Sequence, residues 1–280
     1  MTRPHYLVII VLYNKFPKDS SSIRSLADIP EQQRAAIRCI VWDNSRHKLP
    51  VPQQEFLSTM LRGIKYDYRH NKGANIPLSR LYNQSIRELA EEEYLVLLDD
   101  DSAFGPDLFA KYSQAIVEHP DMDLFLPIVH CDGKIVSPAR MWWFKGSYLR
   151  HVTPGVMNCK HITAINSGMV ISGQYLKKRF EGYDEDIRFY FTDNDFMSRY
   201  TASHQTLYVV DYHMKHTLDF YSRGENFTTK KKRFLELRRS FLRLMKRKGP
   251  LAYSLTVVYL FVYSIKFSIQ QRDIRYIFLS

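Results

Sequence analysis

Apolar and polar positions come in blocks along the first hundred residues. YLVIIVL (6–12) and RCIVW (38–42) are short apolar runs, each closed by polar turn residues, Tyr13-Asn14 and Asp43-Asn44-Ser45. Such runs predict short buried strands. Residues 64–68 predict a third strand and YLVLL (94–98) a fourth. Helices fit between them over 20–36, broken at Pro30, and over 53–62. PLSRLYNQSIRELAEE (77–92) sets apolar residues on one helical face behind a proline suited to a first turn. Strands alternating with helices predict an α/β domain with a mostly parallel sheet. Ligands bind beyond the carboxyl ends of such strands. Tyr13-Asn14, Asp43-Asn44 and Asp99-Asp100-Asp101 all fall there.

The pattern changes after residue 228. Residues 229–248 interleave basic clusters with Phe234, Leu235, Leu237, Phe241, Leu242, Leu244 and Met245 at helical spacing. A helix of this kind lies on an anionic membrane surface; the alternative is a basic helix packed on its own domain. Nucleic acid also attracts basic stripes, but nothing in the body resembles a nucleic-acid-binding module. GPLAYSLTVVYLFVYSI (249–265) carries no charge and falls just short of the roughly 20 residues a spanning helix needs. Tyr253, Tyr259, Tyr263 and Lys266 suit a membrane interface, so this segment is expected to be a monotopic element or a helix that packs a homo-oligomer.

Charge sharpens the division. The net charge is +11, yet residues 230–248 hold ten Lys or Arg against one Glu, and 249–280 hold three against one Asp. The first 229 residues are therefore neutral, and body and tail meet different partners. The expected organisation is an α/β domain over 1–225 and a helical membrane-association or dimerisation extension over 226–280. With 280 residues, 45% of them hydrophobic, the chain can bury one large core. Three cysteines are too few and scattered for a disulfide framework or zinc site. MTRPHYLVIIVLYN lacks a secretory cleavage pattern, so a cytosolic setting on the inner face of the cell membrane is expected. No G-x-G-x-x-G and no Walker lysine appear, which argues against ordinary dinucleotide and P-loop sites. VLYNKFP also lacks the Gly-rich phosphate loop of a sugar nucleotidyltransferase.

The candidate chemistry centres on Asp99, Asp100 and Asp101. Three adjacent carboxylates repel one another, and a hard divalent cation relieves that repulsion, taking the rest of its shell from water and phosphate oxygens. A solvated strand end is the plain alternative. Here the chain resembles family 2 glycosyltransferases with the GT-A fold. LLDDDS is similar to their D-x-D segment, most of all in the rhamnosyltransferase-like branch. YLVIIVLYN resembles their first strand and CIVWDNS their second; HNKGANIPLSRLYNQSI resembles the segment entering the helix before D-x-D. INSGMVIS resembles their Ser-Gly acceptor-side segment, and FEGYDEDIRFYFTDNDFMSR the stretch carrying the catalytic base. These six motifs occur in family order over residues 5–220.

The resemblance implies roles residue by residue. Asp99 faces the nucleotide ribose and, with Asp101 as the better ligand, a Mg²⁺ or Mn²⁺ ion; Asp100, counted on the nucleotide side, points elsewhere and is the replaceable one. Asp43 reads the base, Tyr13 and Asn14 line its pocket, and Lys72, Gly73 and Asn83 lie near the nucleotide. Asp193 is the base, with Ser167, Gly168 and Asp195 on the acceptor side. His216 completes the metal site, with His213 as the competing histidine. Chemistry gives these roles independent sense. A cation neutralises the leaving diphosphate, and a carboxylate opposite it deprotonates the attacking hydroxyl, inverting the anomeric centre. Asp193 and Asp195 could instead cap a helix, and Asp43 could be a turn residue. Trp142-Trp143-Phe144 offers either an acceptor platform or core packing. The implied donor is dTDP-L-rhamnose, with UDP-hexose or UDP-galactofuranose as alternatives. The implied acceptor is a glycan, including one carried on polyprenyl diphosphate in cell-surface polysaccharide synthesis. A non-catalytic peripheral membrane protein with a degenerate transferase domain is the competing class.

Overall fold

The computed structural model describes residues 3–143, 145–216 and 227–279. Phe144 and residues 217–220 of the motif region, and the proposed boundary at 225/226, lie outside the described residues.

Four strands, β1 (His5–Leu12), β2 (Ile37–Asp43), β3 (Lys65–His70) and β4 (Glu93–Asp99), form a parallel array in the order β3-β2-β1-β4. Their apolar runs are continuous because both faces are covered. In β1, Tyr6, Val8, Ile10 and Leu12 enter one core, and Leu7 and Ile9 enter the other. The first core is closed by α1 (Ser21–Ala27) and α3 (Val51–Met60), with the short α2 (Glu31–Arg34) between them. The second is closed by α4 (Leu78–Glu88) through Leu81, Tyr82 and Ile86. Pro30 precedes α2 and separates it from α1, as expected. The helix α4 stops at Glu88, short of the expected 92, because Leu89 turns into the core in an extended conformation. Glu93 then accepts the Ala90 N–H at 2.8 Å, turning the chain into β4.

Beyond β4 the sheet changes character. After α5 (Leu108–Glu118) come β5 (Leu124–Cys131) and β6 (Lys134–Ser137). A small separate sheet is built by β7 (Ala139–Trp142), β8 (Lys145–Tyr148) and, after β9 (Gly155–Asn158), β10 (Ile162–Thr163). The main sheet continues from β4 through β11 (Met169–Ser172), β5, β12 (Thr206–Lys215) and β9. β11 runs antiparallel to both β4 and β5, so the first half of the sheet is parallel and the second half mixed. Helices α6 (Gly173–Lys178) and α7 (Thr192–Ser203) cover the second core.

The basic and apolar tail segments form α8 (Phe227–Arg247) and α9 (Pro250–Gln271). α8 is fastened to the α/β body. Phe241 stacks on Phe191 at 4.8 Å and 9°, and Arg243 pairs with Asp184 at 2.7 Å. Arg247 pairs with Asp184 and with buried Asp195. α9 packs Leu260 and Phe267 against α8 and leaves Leu251, Val258, Val262 and Ile269 more than half exposed.

Candidate active site

The acidic triplet sits where β4 leaves the sheet, and serines of the α1 segment hold its backbone. Ser20 Oγ donates to the Asp100 carbonyl at 2.8 Å, and Ser22 Oγ donates to the carbonyls of Asp99 and of Ser102. Ala103 then bridges to Lys215 at the end of β12. That bridge brings His216, distant in sequence, against the acids. The His216 N–H donates to the His130 carbonyl at 2.9 Å, which fixes the backbone there.

His216 Nδ1 lies 3.2 Å from Asp101 Oδ1, and Nε2 lies 3.9 Å from Asp99 Oδ2. One ligand atom from each of Asp99, Asp101 and His216 falls within 4.8 Å of the others. Asp101 Oδ1 is buried and accepts no hydrogen bond among the described residues. An orphaned carboxylate oxygen beside a second carboxylate and an imidazole fits a divalent cation. His213 lies elsewhere, its Nδ1 2.7 Å from His130 Nε2.

The three acids have separate surroundings. Asp99 accepts a hydrogen bond from Ser167 Oγ. Desolvation by the surrounding chain raises its carboxyl above the ordinary value, with His216 and Ser167 opposing. Asp100 turns to Lys15 at 2.7 Å; burial raises its carboxyl and Lys15 opposes. Asp101 faces the histidine. The repulsion of the sequence is thus dispersed by a serine, a lysine and an imidazole.

All three acids line one cavity of about 810 Å³, together with Tyr13, Asn44 and Asp193. Asp193 opens α7 just after Phe191, whose φ of +66° makes the sharp turn into the helix. Its Oδ1 accepts its neighbour Asn194 N–H at 2.7 Å. Burial first, and the charge of Asp99 second, push the Asp193 carboxyl up to about 7. The cavity therefore carries a cation-type cluster and a separate carboxyl poised to exchange a proton near neutral pH.

Other expected site residues sit outside the cavity lining. Asp43 is buried, accepting from Tyr68 Oη at 2.6 Å and from the Ser45 N–H at 2.9 Å. Asn14 has φ +52° and donates its N–H to Ser45 Oγ at 2.8 Å. Lys72 and Gly73 form the left-handed turn after β3, where a Cβ on Gly73 would come within 3.0 Å of the Arg46 carbonyl. Asn83 clamps the Tyr183 backbone, donating at 2.9 Å and accepting at 2.7 Å. Asp195 is held by Arg199 at 3.3 Å and by Arg247. Gly168 takes φ +81° beneath Met214 and Pro127, beside Ser167 on Asp99. Trp142 and Trp143 are exposed on the small sheet, their rings 6.1 Å apart.

Sequence reasoning missed several residues at this site. Asn75 and Asn166 line the cavity, as do Phe189 and Phe191, beside Asn44, which the sequence places at the strand ends facing the crevice. Lys15, Ser20 and Ser22 support the acids. Lys15 and the serines follow β1 closely, a place where ligand contacts are expected, but their types alone carry little signal. α8 also enters the cavity wall through Thr229, Lys232, Arg233, Glu236 and Leu237.

No protein-family model and no curated protein matches the sequence. Solved structures do. S. aureus TarS residues 1–349 superimposes with a TM-score of 0.56 at 12% identity, over 86% of this chain and 72% of that one. GalNAc-T7 with UDP, GalNAc and Mn²⁺ gives 0.61 at 13% identity, over 87% of this chain and 48% of that one. The mannosyltransferase PcManGT from Pyrobaculum calidifontis, in complex with GDP-Man and Mn²⁺, gives 0.57 at 13% identity, over 93% and 70%. The fold is the GT-A glycosyltransferase fold.

Proposed function

We propose that the protein is a metal-dependent, inverting glycosyltransferase that moves a sugar from a nucleoside diphosphate donor to a glycan hydroxyl. The observation that carries this is one cavity holding both the Asp99–Asp101–His216 cluster and the Asp193 carboxyl. Complexes of similar folds with UDP, GDP-Man and Mn²⁺ support it.

A bound Mg²⁺ or Mn²⁺ would neutralise charge on the leaving diphosphate. The protein's own groups do the rest. Asp99, Asp101 and His216 would hold the ion, and Tyr13 and Asn44 would flank the nucleoside end. Asp193 Oδ would take the acceptor hydroxyl's proton as the hydroxyl oxygen attacks the anomeric carbon. The bond to the diphosphate oxygen breaks on the opposite face, and the nucleoside diphosphate leaves. The LLDDDS motif makes dTDP-L-rhamnose the first donor to test, before UDP-hexoses and UDP-galactofuranose. The exposed apolar face of α9, beside basic α8, supports a seat on the inner membrane face, where lipid-linked glycans present their sugars.

The test is donor hydrolysis and transfer over dTDP-, UDP- and GDP-sugars with Mg²⁺ or Mn²⁺. Chelator and Asp101→Ala should each abolish turnover. Turnover indifferent to both overturns the metal assignment, and a chain that binds none of the donors is the degenerate transferase.

A further inference from the structure

The basic residues of α8 look like one membrane-facing cluster in the sequence, but the structure divides them. Thr229, Lys232, Arg233, Glu236 and Leu237 form one helical stripe, at spacings of three, four, seven and eight residues, and that stripe is a wall of the acidic cavity. We propose that Lys232 and Arg233 form a phosphate subsite that grips the diphosphate of the donor. The inference rests on the reading of the cavity as a nucleotide-sugar site.

Three observations carry it. The first is charge. With a divalent cation on Asp99 and Asp101, those three groups come to about zero net charge, and Asp100 is already paired with Lys15. An entering nucleoside diphosphate then brings at least two negative charges that the chain must offset. Lys232 and Arg233 are the lysine and arginine side chains among the described residues lining the cavity. The second is the availability of Lys232. Glu236, the acid on the same stripe, lies 3.8 Å from Arg188, and Lys232 makes no ion pair among the described residues. The third is rigidity. A phosphate subsite needs a fixed frame, and α8 has one. Arg243 and Arg247 pin its far end to Asp184 and Asp195, Phe241 stacks on Phe191, and Phe234 is buried against Phe267 and Tyr276.

Charged hydrogen bonds to phosphate are strong and require charge rather than shape alone. The subsite therefore recognises the diphosphate and not the base. Arg243 and Arg247 hold the helix to the body, and Arg239 and Lys246, outside the cavity lining, are left to meet anionic lipid, so α8 serves donor and membrane with different residues.

The test compares full-length wild type, K232A/R233A and the control R239A/K246A. The control removes the same charge from the same helix outside the cavity lining. Titrations with dTDP, UDP and GDP, and with the corresponding nucleosides, are run with Mn²⁺ present. Binding to phosphatidylglycerol vesicles is measured in parallel. K232A/R233A should weaken diphosphate binding by about ten-fold or more, leave nucleoside binding within about two-fold, and flatten the salt dependence; the control should match wild type for all nucleotides. Equal diphosphate binding by K232A/R233A and wild type overturns the subsite while leaving the transferase reading intact. A loss confined to vesicles also overturns it, assigning these cations to lipid. Absence of any diphosphate binding by wild type overturns the functional reading and the subsite together.

Discussion

At the scale of single residues, Asp193 gives the sharpest expectation. Its folded carboxyl titrates near 7, above the free value of 3.8, so it is largely protonated at pH 6 and ionised at pH 8. A base must be ionised, so turnover should rise about ten-fold per pH unit below that midpoint and level off above it. Part of the elevation comes from the charge of Asp99, which a cation would neutralise; raising the cation concentration should shift the acid limb to lower pH. Asp193→Asn should remove both limb and turnover while donor binding survives. An unchanged limb in Asp193→Asn assigns the titration elsewhere. Gly168 gives a stability test. A Cβ there would come within 2.6 Å of Met214 Sδ and Pro127 Cγ, at φ +81°. Gly168→Ala should cost about 2–4 kcal/mol in denaturant unfolding. The acids were legible because mutual repulsion and position at a strand end are properties of the sequence. The engagements of Asp43, Asn83 and Asp195 were not, because their partners Tyr68, Tyr183 and Arg247 are remote along the chain.

At the scale of elements, the N-terminal half was readable from periodicity. Runs buried on both faces look alike whatever lies beside them, so β1, β2 and β4 appear as plain apolar blocks. β11 was not readable: MVIS is four residues long, and its antiparallel insertion between β4 and β5 depends on tertiary pairing. α8 was legible as a helix but not as a wall of the site, since composition does not say which face of a basic helix meets which partner. Its attachment is testable. Asp195 is buried and shared by Arg199 and Arg247. Arg247→Ala leaves that charge with Arg199 alone and should cost about 1–3 kcal/mol. Faster amide exchange should appear in α8 and at the start of α7, with little change in β1–β4. Uniform destabilisation without local exchange would mean the ion pairs do not anchor α8.

At the scale of the whole molecule, neutral body and basic tail are joined through the site. α9 is 22 residues long, which is sufficient by length and composition to cross a bilayer, yet it packs one side on α8 through Leu260 and Phe267. Its outward stripe of Leu251, Leu255, Val258, Val262 and Ile269 would face either lipid or a second copy of the chain. The adjoining basic helix favours an anionic surface. Two glutamates on the outward stripe separate these outcomes without disturbing the inner side. V258E/V262E should lower binding to phosphatidylglycerol vesicles by at least about ten-fold, since burying each valine contributes on the order of 1.5 kcal/mol. Donor hydrolysis in solution should stay unchanged, because neither residue lines the cavity. Vesicle binding by wild type should fall with added salt as α8 is screened. If V258E/V262E instead converts a dimer to a monomer and leaves vesicle binding intact, the stripe is a subunit interface, and membrane attachment must come from the basic residues alone.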